Sequence, residues 1–149
     1  MEEHFAMSWE RTAEATSTAS PARVWDALLD GRRWSEWNPG VEWMTLEGPP
    51  APGTLLTMKP KGAPQTAFRI EAVTPGRVLA VVVTFGPVAA LRFRWELAPA
   101  ADGTSIRQTI ATSGPLARVI LRRSAQRIAG GMAANLERLA QHAAEKAVR

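Results

Sequence analysis

Residues able to do acid–base or nucleophilic chemistry are few in this chain of 149 residues. It has no cysteine and no tyrosine, and its two histidines, His4 and His142, lie near the termini. A Ser-His-Asp or Cys-His arrangement needs an imidazole within hydrogen-bond reach of a nucleophile. Two terminal histidines argue against one. No HExxH, CxxC or carboxylate cluster has metal-ligand spacing, and GPP, GAP and GGM lack the strand–loop–helix setting of a phosphate loop. Neither a metal nor a cofactor is expected. The carboxylates read as surface groups. Glu96 alternates with Arg92 and Arg94 in LRFRWEL, opposite Leu91, Phe93, Trp95 and Leu97. Glu71 shares the polar face of TAFRIEAV with Arg69, opposite Phe68 and Ile70. Asp26 and Glu36 fall on solvated faces of short helices. No pair is spaced to act as acid and base.

Three polar residues point the other way. In SIRQTIATS, Gln108 shares a face with Ile106 and Ile110. A buried amide needs a partner, so Gln108 either orients a ligand or is satisfied within the core. Arg11 shares the Trp9–Ala13 face of its strand. It can meet an anionic ligand head or snorkel past the sheet end. Thr57 is a weaker candidate. The segment RRWSEWNPGVEWM carries Trp34, Trp37 and Trp43, and Trp25 lies just upstream. Trp25 has helical spacing with Leu28 and Leu29, which reads as core. Trp34 and Trp37 are three apart and share one face of a short helix. A two-turn helix cannot easily hide two indoles. Concave aromatic walls are the usual design for apolar ligands.

Those residues need elements to hold them. SWERTAEATSTAS alternates with period two and one wet face, as a strand does. SPARVWDALLDG follows, with Ser20 to cap a helix, Pro21 to open it and Gly31 to end it. RRWSEWN reads as a second short helix, stopped before Pro39. VEWMTLEG, TLLTM, TAFRIEAV, VLAVVVTF, VAALRFRWEL and TSIRQTIATSG then read as six strands, with proline or glycine in most of the connections. The tail PLARVILRRSAQRIAGGMAANLERLAQHAAEKAVR is helical. Leu121, Ala125, Ile128, Met132, Leu136, Leu139 and Ala143 form its apolar stripe. Arg123, Arg127 and Arg138 point away from the stripe. Leu116, Val119 and Ile120 drift off it, which implies a bend or a separate first turn. Gly130 and Gly131 interrupt the helix interior, as a bend or as a hinge. Met132 faces whatever lies beneath.

Composition narrows the class. Hydrophobic content of 46% with 21% charged residues is globular, not disordered. The longest apolar run, Val78 to Phe85, is too short to span a bilayer, so stable membrane insertion is not expected. MEEHFAMSWE does not read as a secretory signal. With no cysteine, a cytoplasmic location is expected. The net charge of +4 permits weak attraction to anions. Arg118, Arg122, Arg123 and Arg127 spread over more than one helix side without interleaved aromatics, which reads as a solvated face and not a nucleic-acid site.

The order strand, two helices, six strands, long helix resembles the helix-grip fold of the START-like (SRPBCC) superfamily, which includes polyketide cyclases and lipid-transfer proteins. The motifs carrying the likeness are SPARVWDALLD, WSEWNPGVEWMTLEG, GTLLTMKPKGAP, EAVTPGRVL, LRFRWEL and GTSIRQTIATSGPLA, with the amphipathic tail. They run from about Trp9 to Ala144. WSEWNPGVEWMTLEG and TSGPLA resemble the bacterial polyketide cyclase/dehydrase-like branch. The resemblance implies one α+β domain over 1–149, with 1–7 loosely ordered. In it a curved antiparallel seven-stranded sheet wraps a long C-terminal helix, with two short helices after the first strand. It also implies a cavity between sheet and helix, with Trp34 and Trp37 near its mouth. Relatives of this branch often carry histidine near the position of Trp95, where an indole cannot titrate.

The expected function is binding of a hydrophobic small molecule, such as a lipid, polyketide or other apolar metabolite, as carrier or sensor. The expected lining is Trp34, Trp37, Phe68, Phe93, Trp95, Gln108, Met132 and Leu136, with Arg11 as a further ligand contact. The alternatives are a cyclase/dehydratase that templates its substrate in the cavity, and a protein-interaction module. Catalysis ranks below carriage because the chain offers so few titratable groups.

Overall fold

A computed structural model of the chain describes residues 7–148. His4 and most of the segment expected to be loose lie outside the described residues, whereas Met7 already belongs to the first strand. That strand, β1 (Met7–Ser17), leads into α1 (Pro21–Leu29) and a 3-10 helix (Gly31–Glu36). Six strands follow: β2 (Val41–Leu46), β3 (Leu55–Pro60), β4 (Thr66–Thr74), β5 (Val78–Phe85), β6 (Ala89–Ala100) and β7 (Gly103–Ser113). A four-residue helix, α2 (Ala117–Ile120), precedes the long α3 (Arg122–Val148). This is the helix-grip architecture.

The strands form one antiparallel sheet in the order β1-β7-β6-β5-β4-β3-β2. From β2 to β7 each strand pairs with its sequence neighbour, as the short turns require. The exception is the start: β1 and β2 stand on opposite edges. α1 and the 3-10 helix must therefore carry the chain from one edge to the other. Ser20 caps α1 by accepting the Arg23 N–H at 3.3 Å, and Pro21 occupies the first turn. Gly31 starts the 3-10 helix against the backbone of β2, where any Cβ would run into the Met44 carbonyl oxygen. Glycine here buys closeness, not a special dihedral angle.

The long helix is gripped along one margin. α3 packs chiefly on α1, β1 and β7, and Leu136, Leu139, Ala140 and Ala143 are buried. Buried hydroxyls tie this margin together. Ser17 Oγ donates to the Ala140 carbonyl at 2.7 Å and accepts the Ala19 N–H at 3.1 Å. Thr104 Oγ1 donates to the Ala19 carbonyl at 2.7 Å. The expected drift of Leu116, Val119 and Ile120 is a real break: they belong to α2 and its N-cap, and all three are exposed. α3 itself runs unbroken through Gly130 and Gly131.

Two glycine substitutions should move stability in opposite directions. Gly31→Ala should lower the unfolding free energy by about 1–3 kcal/mol, as overpacking does. Gly130 has open space where a Cβ would go, so Gly130→Ala should raise it by up to about 1 kcal/mol. Urea denaturation followed by circular dichroism reads both.

Candidate ligand cavity

Beyond its gripped margin α3 stands off the sheet, and a cavity of about 680 Å³ lies beneath it. That volume is within the range of small-molecule sites. The inward positions of successive strands form the floor: Leu56 and Met58 of β3, Phe68 of β4, Val81 of β5, Phe93 and Trp95 of β6, and Gln108 of β7. Register explains their convergence. Leu56 pairs with Phe68, Val81 with Phe93, and Trp95 with Gln108, so their side chains emerge on the same face. Met132 of α3 closes the roof, and Trp34 and Trp37 form a side wall.

The aromatic residues make a continuous wall. Trp37 meets Trp34 with centroids 5.0 Å apart, and Trp34 meets Trp95 edge-on at 6.1 Å. Trp95 stacks on Phe93 at 6.0 Å, and Phe93 meets Phe68 edge-on at 5.7 Å. Such pairs contribute roughly 0.5–1.5 kcal/mol each beyond area burial. Trp34 is further fixed by its indole N–H, which donates to the Leu28 carbonyl at 2.8 Å. The indole N–H groups of Trp37 and Trp95 are buried without partners. Mutual packing, not hydrogen bonding, holds those two rings.

Gln108 is the only buried polar side chain in the lining, at 7% exposure. It makes no side-chain hydrogen bond among the described residues. Its amide lines the cavity without a protein partner and keeps surface there that a ligand group can reach. The mouth differs from the floor. Arg138 Nη1 donates to Asn135 Oδ1 at 2.8 Å, and Asn135 Nδ2 donates to Asn38 Oδ1 at 3.3 Å. Asn38 Oδ1 also accepts the Gly40 N–H at 3.2 Å. This polar chain links α3 to the loop after the 3-10 helix. Lys61, Arg127 and Arg138 border the opening, and among the described residues no Asp, Glu or His does.

Seven of the residues expected to line a cavity do so: Trp34, Trp37, Phe68, Phe93, Trp95, Gln108 and Met132. Leu136 does not. It lies one turn beyond Met132, fully buried, where α3 is gripped instead of raised. Arg11 is also elsewhere. Its guanidinium lies 4.7 Å over the Trp9 ring and donates to the Glu10 carbonyl at 2.9 Å, on the outer edge of the sheet. Thr57 lies between Leu56 and Met58 and so projects to the opposite face. Ile128 leaves the buried stripe: it is 39% exposed and stands at the mouth. His142 is buried outside the lining, with Nδ1 3.7 Å from Glu36 Oε1. The glutamates behave as expected, Glu71 and Glu96 meeting Arg92 and Arg94 at 3.1 and 3.2 Å.

Sequence reading missed Asn38, Asn135, Lys61 and the placement of Arg127 and Arg138. Asn38 had a signal, since Asn-Pro-Gly is a turn in which the Asn side chain bonds its own backbone. The arginines had none, because a rim lies where the apolar stripe meets the polar face.

A family model described as "Polyketide cyclase / dehydrase and lipid transport" matches residues 8–144. The chain belongs to that family. Among curated proteins none matches the sequence. Among solved structures, the Zhui aromatase/cyclase from a Streptomyces species superposes with a TM-score of 0.70 at 16% identity, over 97% of both chains. A protein from Mesorhizobium loti gives 0.68 at 21% identity, over 89% of this chain and 95% of that one. The di-domain ARO/CYC from the steffimycin biosynthetic pathway gives 0.66 at 18% identity; 93% of this chain matches 51% of that chain. At these identities the structures show a shared fold. They and the family description still overturn one expectation. Catalysis does not rank below carriage: the family spans cyclases, and several solved structures of the same fold are named as such. No described helix is long and apolar enough to cross a membrane.

Gln108→Met keeps the side-chain length and removes the unpaired amide. In the ligand-free protein it should raise the unfolding free energy by no more than about 1 kcal/mol, because the amide keeps accessible surface in the cavity. Thermal unfolding of the two proteins checks this; a lower midpoint for the variant would mean the amide is satisfied.

Proposed function

We propose that the protein is a cyclase/dehydratase-like enzyme that folds a polyketide-like chain inside the aromatic cavity. The observation that carries this reading is a 680 Å³ chamber with a five-ring wall and one buried polar side chain, Gln108. The family description supports the substrate class. Chains of alternating ketones are intrinsically reactive, and the difficulty is which carbons meet. A chamber with rigid aromatic walls restricts the conformers available. Holding reacting atoms together can replace about 7–11 kcal/mol of barrier.

In an aldol closure, an enolate carbon attacks a ketone carbon. The new C–C bond forms as the carbonyl π pair moves to oxygen. That oxygen takes up the proton released when the enolate formed. On dehydration the α-carbon then loses its remaining proton, the C–H pair becomes the new C=C bond, and the hydroxyl departs with that proton as water. In this reading Gln108 donates its amide N–H to the oxygen where charge develops. A preorganised donor of this kind stabilises the transition state more than the ground state. The rings would shield the intermediate from bulk water.

Carriage of an apolar ligand is the second reading. It is favoured by the lack of Asp, Glu or His in the lining among the described residues, which leaves no ordinary carboxylate or imidazole base there. A synthetic linear poly-β-ketone separates the two. Under the enzyme reading, the protein shifts the cyclised product mixture, read by liquid chromatography and mass spectrometry. Gln108→Met should then lower kcat by roughly 100-fold with little change in KM. Tryptophan quenching by the same compound, with an unaltered product mixture, would instead establish carriage.

A further inference from the structure

The cavity mouth carries positive charge that no described residue neutralises by an ion pair. Lys61 follows β3 at one side, and Arg127 and Arg138 sit on α3 at the other. All three are exposed, and none forms an ion pair among the described residues. This contrasts with the sheet surface, where Arg92, Arg107 and Lys59 each meet a glutamate within 3.1–3.5 Å. The two arginines are eleven residues apart, about three helical turns, so they lie on one side of α3 roughly 16 Å apart. They bracket the opening lengthwise. The chain has no Asp or Glu from Gly103 to Leu136. Glu137 adjoins Arg138 in sequence, but neighbours in a helix do not face each other.

From this we infer that the natural ligand is an amphipathic anion. Its flat apolar body occupies the aromatic chamber, and its acid group stays at the mouth beside Lys61, Arg127 and Arg138. The inference rests on the reading of the cavity as a ligand site and adds the ligand's charge. An acid group drawn into the chamber would lose its hydration against five aromatic rings, at high cost. At the mouth it keeps contact with water and gains three cations. Low-dielectric walls focus their field toward the opening. The shared chemistry is a carboxylate or a phosphate monoester.

Two fluorescent probes with the same ring skeleton test the charge. 8-Anilinonaphthalene-1-sulfonate is an anion; N-phenyl-1-naphthylamine is its neutral counterpart. In low salt the anion should bind about tenfold more tightly, as three exposed cations of modest individual worth allow. The advantage should disappear near about 1 M salt, where screening acts within roughly 3 Å. The combined variant Lys61→Gln, Arg127→Gln, Arg138→Gln should also lose it while still binding the neutral probe, which shows that the variant is folded. Equal affinity for both probes, unchanged in that variant, overturns the inference and leaves the cavity reading standing. Failure of both probes to bind overturns the cavity reading itself. Competition against the sulfonate then tests the natural acid groups. Displacement by 2-naphthoate or by 2-naphthyl phosphate supports the inference, and the more effective of the two names the group. Displacement by neither counts against it.

Discussion

One long helix is fastened along a single margin of a curved sheet, and the hollow exists because of that asymmetry. The fastening is chemical as well as apolar. Ser17 and Thr104 place buried hydroxyls against the Ala140 and Ala19 carbonyls, and Leu136 and Leu139 fill the seam. Buried hydrogen bonds set register more sharply than aliphatic packing does, because misplacing either partner leaves it unsatisfied. Past this seam the helix continues over the cavity. Side chains large enough to wall the gap, but too rigid to collapse into it, keep it from closing.

The aromatic wall has that second property. Indole and phenyl groups are large planes with no internal torsion, and each ring here leans on the next from Trp37 to Phe68. Aliphatic side chains in the same positions could change rotamer and fill the space. Trp34 links the wall to the backbone through Leu28. Gly31 in turn lets the segment carrying Trp34 and Trp37 lie directly on β2. A short helix that looks like mere connection between two edge strands therefore sets the position of two rings.

Much of this was legible in the residues. Period-two alternation in LRFRWEL and SIRQTIATS assigned Phe93, Trp95 and Gln108 to the inner face, and register did the rest. The cap at Ser20 and the break after Ile120 were legible for local reasons. What escaped was whatever depends on the height and rotation of α3 over the sheet. A helical projection places Leu136 and Met132 on one stripe. Only the grip distinguishes them, because one half of the stripe is pressed into the seam and the other is raised over space. Ile128 at the mouth and Arg127 and Arg138 on the rim follow from the same offset. Arg11 escaped for another reason: an edge strand lets a long side chain curl over its neighbour Trp9.

The placement of β1 on the far edge bears on how the molecule assembles. Its partner across the sheet is β7, and the facing hydroxyls of Thr12 and Thr109 are separated by 97 positions in the chain. Hairpins from β2 to β7 join near neighbours, whereas this last seam requires closing a very long loop, at an entropic cost that grows with the logarithm of its length. Topologies rich in such distant pairings fold slowly. Ser17 and Ala19, which help fasten the helix, come with the same edge segment, so the seam and the fastening of the roof share one stretch of chain. A molecule that fits the finished chamber would draw the population toward the closed seam by mass action.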